Sequence, residues 1–225
     1  MNIVVTAGPT REHLDPVRFL SNPSTGKMGF AVAAAAARRG HRVTLVAGPV
    51  SLPTPKGVRR VDVTSAREML AATEAAVREA AGRGEPAVVV ATAAVADWRP
   101  AKCAAKKLKK AQMDGTLRLV RNPDILKTLS RLPPGVRPML VGFAAETGDA
   151  VAEARRKCRE KRLAFIVAND VSERGSGFGT DTDRVTFVFP DGMALPLPMM
   201  TKRAVAGRIV DEALRIASRT GLKMV

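Results

Sequence analysis

The sequence predicts one doubly wound α/β domain over residues 1–225, built on a mostly parallel sheet. Short runs rich in β-branched residues alternate with runs that suit helices, which is typical of a sheet covered by helices on both faces. Residues 87–96 are continuously apolar, as expected for a central strand buried on both faces. Together these patterns indicate a Rossmann-like architecture whose ligands bind at the carboxyl ends of the strands.

The first half of the chain supplies four strands and two helices in this prediction. The predicted strands are residues 2–7, 41–46, 58–63 and 87–96. Residues 26–39 are Ala-rich and unbroken, so they form a helix that ends at Gly40. Ser65 and Glu68 have the spacing of a capping box, which predicts a second helix running to about residue 81.

The second half continues the alternation and ends with a C-terminal β-hairpin and a helix. Between residues 97 and 120 the periodicity is lost and lysines accumulate, which indicates a lysine-rich flap that leaves the sheet. Asp191-Gly192 separates two β-rich runs and predicts the hairpin turn. The other predicted elements are a short helix capped by Asn122 that runs to residue 132, strands 139–144 and 164–167, a helix 148–162, and a last helix from Thr201 to about residue 218.

The composition is ordinary for a soluble globular protein, with 46% hydrophobic and 26% charged residues. No apolar run reaches the ~18 residues of a membrane span, and residues 1–8 lack a signal-peptide pattern. We therefore expect a cytoplasmic protein with no membrane partner. Cys103 and Cys158 have no metal-ligand spacing with the histidines, so both are expected to be free thiols.

The formal net charge of +16 at pH 7 leaves two interpretations open, a basic surface without a dedicated partner and a surface for anions. Nucleic-acid-binding proteins usually stack bases on aromatic side chains. This chain has no Tyr, one Trp and seven Phe. We therefore expect anionic metabolites and no nucleic acid, and a basic nucleic-acid-binding module remains the non-enzymatic alternative.

Residues 21–29, Ser-Asn-Pro-Ser-Thr-Gly-Lys-Met-Gly, are similar to a P-loop but break its pattern in three places. Ser21 replaces the first Gly, Met28 replaces the hydroxyl residue, and Pro23 removes an amide donor. A turn of small residues that enters a helix is still a good anion site, because the first amides of a helix are unpaired. The segment therefore predicts phosphate binding without the P-loop hydroxyl.

Four segments of small residues are expected at the carboxyl ends of strands, where they would meet in one crevice. They are residues 7–10, 91–99, 142–145 and 168–170. One of them carries Asp97 directly before the lysine-rich stretch, a combination that suits polyphosphate chemistry. A solvated lysine-rich face is the alternative interpretation of that stretch.

An NAD(P)-binding Rossmann oxidoreductase is the weaker enzymatic alternative. Its Gly-x-Gly-x-x-Gly turn joins the first strand directly to the first helix. Here Gly8 and Gly26 are eighteen positions apart, so that tight turn does not form. The strand at 41–46 also ends without the acidic residue that would hold a ribose.

Eight motifs, in the same order, make the chain resemble phosphopantothenoylcysteine synthetase, also called phosphopantothenate–cysteine ligase. They are Ala-Gly-Pro-Thr-Arg-Glu, Asp-Pro-Val-Arg-Phe-Leu-Ser-Asn, Ser-Thr-Gly-Lys-Met-Gly, Ala-Ala-Val-Ala-Asp-Trp-Arg, Lys-Leu-Lys-Lys, Asn-Pro-Asp-Ile-Leu, Val-Gly-Phe-Ala-Ala-Glu-Thr and Ala-Asn-Asp-Val. They extend over essentially the whole chain. Eight ordered motifs are far more specific than any single one.

The resemblance implies a ligase that joins L-cysteine to 4′-phosphopantothenate in coenzyme A biosynthesis. The substrate carboxylate would attack the α-phosphorus of CTP, or of ATP as in eukaryotic members, and release pyrophosphate. The cysteine amine would then displace the nucleoside monophosphate from the acyl-nucleotide. The resemblance also implies Mg²⁺ with the triphosphate, no flavin on this chain, and a homodimer.

The resemblance also assigns roles to residues at matching positions. Asn22 would support conversion of the acyl-nucleotide to the amide, since an uncharged amide donates to a developing oxyanion without repelling phosphates. Lys107 would be the flap lysine that closes over the phosphates.

The implied nucleotide contacts are Gly8, Ser24, Gly26, Gly29, Ala91, Thr92, Ala93, Asp97, Lys107, Pro123, Asp124, Ile125, Leu126, Phe143, Lys157, Lys161 and Asn169. The implied phosphopantothenate contacts are Asn22, Ala93, Ala94, Asp97 and Arg18, the last from a second subunit. Lys157 and Lys161 are four apart and so share one helix face. The metal ligands are not indicated.

Three features depart from the family pattern. Pro23 stands where bacterial relatives often have His, so that side chain is not expected to be essential. Lys106 replaces a commonly acidic residue before the flap lysine, which predicts an altered flap closure. The flavin-dependent decarboxylase that usually precedes this domain in bacteria does not form part of the sequence. A stand-alone synthetase and one half of a bifunctional chain are both open.

Overall fold

The computed structural model describes residues 1–109 and 115–220. Its helices are α1 Lys27–Arg38, α2 Ala66–Gly82, α3 Ile125–Leu129, α4 Ala150–Glu160 and α5 Lys202–Arg219. Its strands are β1 Asn2–Ala7, β2 Arg11–His13, β3 Phe19–Ser21, β4 Arg42–Ala47, β5 Val58–Asp62, β6 Ala87–Ala91, β7 Trp98–Pro100, β8 Leu119–Arg121, β9 Met139–Glu146, β10 Phe165–Asp170, β11 Thr182–Asp183, β12 Val185–Val188, β13 Ala194–Pro196 and β14 Met200–Thr201. Lys110, the last residue of the Lys-Leu-Lys-Lys motif, lies outside the described residues.

The central sheet of the described chain has eight strands in the order β13-β12-β10-β9-β6-β1-β4-β5. Strands β5, β4, β1, β6, β9 and β10 pair in parallel, and β12 and β13 add an antiparallel hairpin at one edge. From β1 the chain adds β4 and β5 on one side and then crosses over to add β6 on the other. The carboxyl ends of β1 and β6 therefore form the switch point at which doubly wound sheets bind ligands. The predicted mostly parallel sheet and its C-terminal hairpin are confirmed.

Strand residues alternate between two buried cores. Ile3 and Val5 of β1 face the core under α1 and α5, whereas Val4 faces the core under α2 and α4. All three side chains are at most 2% exposed. A strand covered on both faces has no polar side to show, which explains why the sheet strands are continuous apolar runs.

Helix α1 lies unusually close to the first strand. A Cβ added to Gly29 would lie 2.4 Å from the Cβ of Ala7 and 2.5 Å from the Oγ1 of Thr92, so no larger side chain fits there. The cap residue Gly26 has a φ of 77°, a left-handed conformation that favours glycine. These two glycines bring the first turn of α1 to the carboxyl ends of β1 and β6.

Two small antiparallel hairpins project from the sheet, and sequence analysis assigned neither of them. Strands β2 and β3 pair from Arg11 opposite Ser21 to His13 opposite Phe19, within the gap between Gly8 and Gly26. Strands β7 and β8 pair at the base of the lysine-rich segment, and β2 packs against β7.

The end of β6 was predicted wrongly. The strand ends at Ala91, five residues before the predicted end at 96. The chain stays beside β1 for a short distance, with the Thr92 amide donating to the Thr6 carbonyl at 3.2 Å and the Ala94 amide to the Gly8 carbonyl at 2.9 Å. It then turns away from β9. The apolar run continues because residues 92–96 are half-buried and line a cavity, so their apolarity does not indicate strand pairing.

The cap of the short third helix was also predicted wrongly. Asp124, not Asn122, caps α3, by accepting from the Lys127 amide at 3.0 Å, and the helix ends at Leu129 and not at residue 132. The Asn122 side chain instead donates to the Ala96 carbonyl at 2.8 Å. Asn122 therefore ties the loop after β6 to the loop after β8.

Other local signals identified their elements well. Ser65 and Glu68 form the predicted capping box of α2, and Thr201 caps α5 by accepting from the Ala204 amide. Strands β9 and β10 extend beyond their predicted ends, to Glu146 and Asp170.

Within residues 1–109 and 115–220, no helix combines the length and apolarity that a membrane crossing requires.

Candidate active site

A cavity of about 360 Å³ opens at the carboxyl ends of the central strands. Its walls are the entry to α1, the loop after β6, the turn into α3, the end of β9 and one face of α4. These walls come from segments far apart in sequence, and the sheet topology brings them to one crevice.

The entry to α1 is tied to the opposite wall by side-chain hydrogen bonds. The hydroxyl of Thr25 donates to the Phe178 carbonyl at 2.8 Å. Lys27 donates to the Gly179 carbonyl at 3.1 Å and forms an ion pair with Asp181 at 2.7 Å. These contacts hold the first turn of α1 in place, and its unpaired amides give the cavity a positive end.

Asn22 lies a few residues before α1, and the loop after β6 orients its side chain. Its Nδ2 donates to the Ala94 carbonyl at 3.0 Å. The side-chain amide retains a second N–H and its oxygen for a ligand. Asn22 is half-buried, and Asn22 and Ala94 both line the cavity.

Two lysine–carboxylate pairs lie on the α4 side of the cavity. Lys161, the C-cap residue of α4, contacts Asp124 at 2.8 Å, and Lys157 contacts Glu146 at 2.5 Å. Burial alone would raise the pKa of Asp124, but the Lys161 ammonium and the Lys127 amide outweigh it and hold that pKa below its usual value. Burial likewise opposes the charge on Lys157, yet Glu146 raises its pKa. These pairs place two ammonium groups at one side of the cavity, where they suit an anionic ligand.

A buried polar cluster forms the far end of the cavity, at the tip of β10. Asn169 is 3% exposed and donates through Nδ2 to the Asp183 carboxylate at 3.1 Å. Its Oδ1 is buried and has no hydrogen-bond partner within the described residues. Because an unsatisfied buried acceptor is unfavourable, this oxygen suits a donor on a bound ligand.

Lys202 is the second charged member of this polar cluster. It is 6% exposed and donates to the Gly177 and Phe178 carbonyls at 2.5 and 3.3 Å. Burial lowers the pKa of its ammonium group. Lys202 therefore fixes the loop that also receives the Thr25 hydroxyl.

The cavity contains most of the site residues that the family resemblance implies. The implied residues that line it are Asn22, Ser24, Gly26, Gly29, Ala91, Thr92, Ala93, Ala94, Asp97, Pro123, Asp124, Ile125, Leu126, Phe143, Lys157, Lys161 and Asn169. Asp97 does not end a strand as expected, because five residues, 92–96, separate it from Ala91 at the end of β6.

Three implied residues do not line the cavity. Gly8 lies behind the wall, where its carbonyl accepts from the Ala94 amide at 2.9 Å. Lys107 is exposed. Arg18 binds Asp15 and the Leu108 carbonyl in its own chain. The implied roles of Gly8, Lys107 and Arg18 therefore stay predictions.

Some cavity residues were predicted neither by a segment of the sequence nor by the resemblance. They are Thr6, Asn122, Glu146, Gly177, Phe178, Asp183 and Lys202. Some are neighbours of residues that were identified. Asp183 and Lys202 had no local signal, since their place beside Asn169 depends on how the last hairpin and α5 pack.

The described residues offer limited means of holding a metal by protein ligands alone. Among residues 1–109 and 115–220, no group of three or more His, Cys, Asp or Glu side chains has a metal-binding arrangement. The exposed carboxylate of Asp97 does line the cavity. One carboxylate with the phosphates of a nucleotide is a usual environment for Mg²⁺, so the residues fit a metal that arrives with the triphosphate.

The two cysteines are free thiols, as predicted. Cys158 lies on the buried face of α4, and burial raises the pKa of its thiol to about 11. A thiol with that pKa is protonated and unreactive at neutral pH.

Comparison with known proteins gives concordant matches over nearly the whole chain. Coenzyme A biosynthesis bifunctional protein CoaBC of Escherichia coli K12 is 48% identical over 215 residues, which are 94% of this chain and 51% of that protein. The Bacillus subtilis strain 168 protein of the same name is 47% identical over 221 residues, which are 98% of this chain and 52% of that protein. The chain thus spans about half the length of the curated relatives it matches.

Solved structures have the same fold. The C-terminal domain of CoaBC superposes with a TM-score of 0.77 at 39% identity, over 96% of both chains. A Cab2 mutant in complex with phosphopantothenate-cysteine superposes with a TM-score of 0.76 at 16% identity, over 97% of this chain and 88% of that one. The latter likeness concerns the fold alone.

A family model described as the DNA/pantothenate metabolism flavoprotein C-terminal domain matches residues 1–216. Together with the CoaBC relatives, this match confirms the family resemblance that the ordered motifs predict. The chain therefore belongs to the DNA/pantothenate metabolism flavoprotein C-terminal domain family.

Proposed function

We propose that this chain joins L-cysteine to 4′-phosphopantothenate through an acyl-cytidylate, converting CTP to CMP and pyrophosphate. The observation that carries the proposal is the cavity at the switch point. It brings the amide of Asn22, the carboxylate of Asp97 and the lysines of α4 together, although they lie up to 139 positions apart. The name of the CoaBC relatives, and the ligand named for the Cab2 structure, support the same reaction.

In the proposed first step, the carboxylate of phosphopantothenate attacks the α-phosphorus of CTP and pyrophosphate leaves. The α4 lysines bind the nucleotide's negative charge, and the first amides of α1 add a positive end on the opposite side. Mg²⁺, when bound with the triphosphate, would neutralise part of the charge that builds on the leaving pyrophosphate. Asp97 is the cavity carboxylate that we expect to face it.

In the proposed second step, the amine of cysteine attacks the acyl carbon and CMP leaves. Negative charge develops on the carbonyl oxygen as the amine adds. The free N–H of Asn22 is suited to donate to that oxygen, since the Ala94 carbonyl holds its side chain in place. Asn169 offers an unsatisfied acceptor to a donor group of the bound nucleotide.

Turnover with different triphosphates tests this function directly. Purified protein with phosphopantothenate, cysteine and Mg²⁺ should release pyrophosphate and CMP when CTP is supplied. We expect kcat/KM for CTP to exceed that for ATP by at least about tenfold, the effect of roughly 1.4 kcal/mol in binding the transition state. A higher kcat/KM for ATP would reverse the nucleotide assignment, and no turnover with either nucleotide would contradict the proposed reaction.

We also propose that the chain acts as a homodimer through the two projecting hairpins. Val17, Phe19, Trp98 and Leu119 in these hairpins are 57%, 40%, 45% and 39% exposed. Most of the large exposed apolar side chains in the described chain lie on these two hairpins, which pack side by side through β2 and β7, and we propose their apolar surface as the association site.

A single charge in this surface should weaken the dimer. We expect Phe19→Glu to shift the protein from dimer to monomer in sedimentation velocity at micromolar concentration. Leu195→Glu, at a similarly exposed apolar residue of the edge strand β13, is the matched control and should remain dimeric. A wild-type protein that sediments as a monomer would refute the proposal.

A further inference from the structure

One buried carboxylate of the described chain lies outside the cavity and accepts an unusual number of hydrogen bonds. The side chain of Asp15, in the β2–β3 turn, is 0% exposed. Its Oδ1 accepts from the Val17 and Arg18 amides, both at 2.9 Å. Its Oδ2 accepts from Nε and Nη2 of Arg18 at 3.0 and 2.6 Å, and from the Leu108 amide at 3.2 Å.

Leu108 is held at both of its main-chain groups. Its amide donates to Asp15, and its carbonyl accepts from Nη2 of Arg18 at 3.0 Å. A further bond ties the same segment to the same turn, because the Ala104 amide donates to the Leu14 carbonyl at 2.8 Å. The hairpin turn at 14–18 therefore fixes residues 104–108 of the lysine-rich segment.

The two oxygens of Asp15 have separate tasks in this arrangement. Oδ1 closes the turn of its own hairpin, and Oδ2 binds the segment that comes from the other hairpin. The charge of the carboxylate matters most at Oδ2, where three donors converge, because hydrogen bonds to an ionised acceptor are stronger than neutral ones. The Arg18 guanidinium and the three amides also hold the pKa of Asp15 far below its usual range, so the carboxylate stays ionised at neutral pH.

We propose that Asp15 is a positioning residue for Lys107, which it places through the main chain of Leu108. This inference rests on the proposed function, in which Lys107 acts on the triphosphate. Because Leu108 is held at both main-chain groups, the main chain beside Lys107 is already ordered before the lysine engages the phosphates. Without that anchor the segment must also be ordered at each turnover, and that ordering opposes catalysis.

The substitution Asp15→Asn separates the two tasks of the carboxylate. Asn can keep Oδ1 and so retain the turn, but it presents an NH₂ group to Arg18 and Leu108, which are donors themselves. We expect the rate of pyrophosphate release to fall on the order of 10- to 100-fold, since a small misplacement of a catalytic group has effects of this size. The rate is measured at saturating phosphopantothenate, because Arg18, an implied contact of that substrate, also loses its carboxylate partner in this variant. Asp15→Asn combined with Lys107→Gln should be no slower than Lys107→Gln alone, because Asp15 acts through Lys107.

Amide hydrogen exchange reports on the anchor without any activity assay. In Asp15→Asn, peptides that cover residues 104–109 should exchange faster, while peptides of the central sheet should be unchanged. Leu108→Pro removes the amide donor to Asp15 and also restricts the backbone at residues 107 and 108, so it is the harsher variant and should slow pyrophosphate release at least as much, even if Asp15→Asn folds poorly. Asp191→Asn is the matched control, because Asp191 closes an exposed hairpin turn by accepting from the Met193 amide at 2.9 Å; it should leave both measurements unchanged.

The inference and the proposed function fail differently. If the wild type releases no pyrophosphate with any triphosphate, the proposed function is wrong, and hydrogen exchange still decides whether Asp15 anchors the segment. If the wild type is active but both Asp15→Asn and Leu108→Pro release pyrophosphate at its rate, the inference is wrong. Unchanged exchange at 104–109 in Asp15→Asn would also overturn it.

Discussion

Replacing Asn22 by Ala should block amide formation while pyrophosphate is still released. The substitution removes the N–H that we propose for the oxyanion of the second step, and loss of one such donor typically slows the step by about 10²- to 10³-fold. The first step does not depend on that donor, so the acyl-nucleotide should accumulate in an amount close to that of the enzyme. Rapid quenching followed by chromatography would measure the acyl-nucleotide and the amide product separately.

Two further variants isolate the contribution of the Asn22 amide. Asn22→Asp keeps the size of the side chain but replaces its donor by a negative charge, so it should be at least as impaired as Asn22→Ala in the second step. Ser21→Ala is the control one residue away; Ser21 is exposed, and its hydroxyl donates to the Thr10 carbonyl at 2.8 Å. It should remain near wild type in both steps. Wild-type yields of the amide from Asn22→Ala would contradict the role assigned here.

The fold could be predicted because its signals are local. The capping box at Ser65 and Glu68, the Gly40 stop and the Asp191-Gly192 turn each depend on a few neighbouring residues. The two projecting hairpins were missed because their strands are only three residues long, which is too short for an alternating pattern to stand out. The end of β6 was missed for a different reason. The chain leaves the sheet while its residues stay apolar and half-buried, and hydrophobicity alone cannot distinguish a sheet strand from a cavity wall.

The site was predictable only where a motif identified it. Residues such as Ser24, Gly26 and Gly29 lie on a recognisable turn, and the resemblance identified Asn22 and the lysines of α4. The hydrogen-bond partners of the buried polar residues could not be predicted from the sequence. Asn169 meets Asp183 fourteen positions later, and the Asp15 carboxylate meets Leu108 across 93 positions. Contacts of this kind follow from tertiary packing, which no local pattern encodes.

Replacing Lys107 by Gln should slow the first step by about 100-fold, because it removes a cation that we expect to stabilise the departing pyrophosphate. The position of Lys107 in the structure makes this prediction more specific. Lys107 is exposed and does not line the cavity, so its effect requires movement of the side chain towards bound nucleotide. We therefore expect kcat for pyrophosphate release to fall far more than the affinity for CTP, because the ammonium would contribute mainly in the transition state.

The lysine-rich segment provides its own control for Lys107→Gln. Lys102 is also exposed and carries the same charge, but it lies before the part of the segment that Asp15 and Arg18 hold. Lys102→Gln should therefore keep a wild-type rate of pyrophosphate release. If both variants slowed the reaction equally, the effect would come from the overall positive charge of the segment and not from Lys107. Such an effect would disappear at high ionic strength, because salt screens exposed charges, whereas the loss of a lysine that contacts the phosphates would persist.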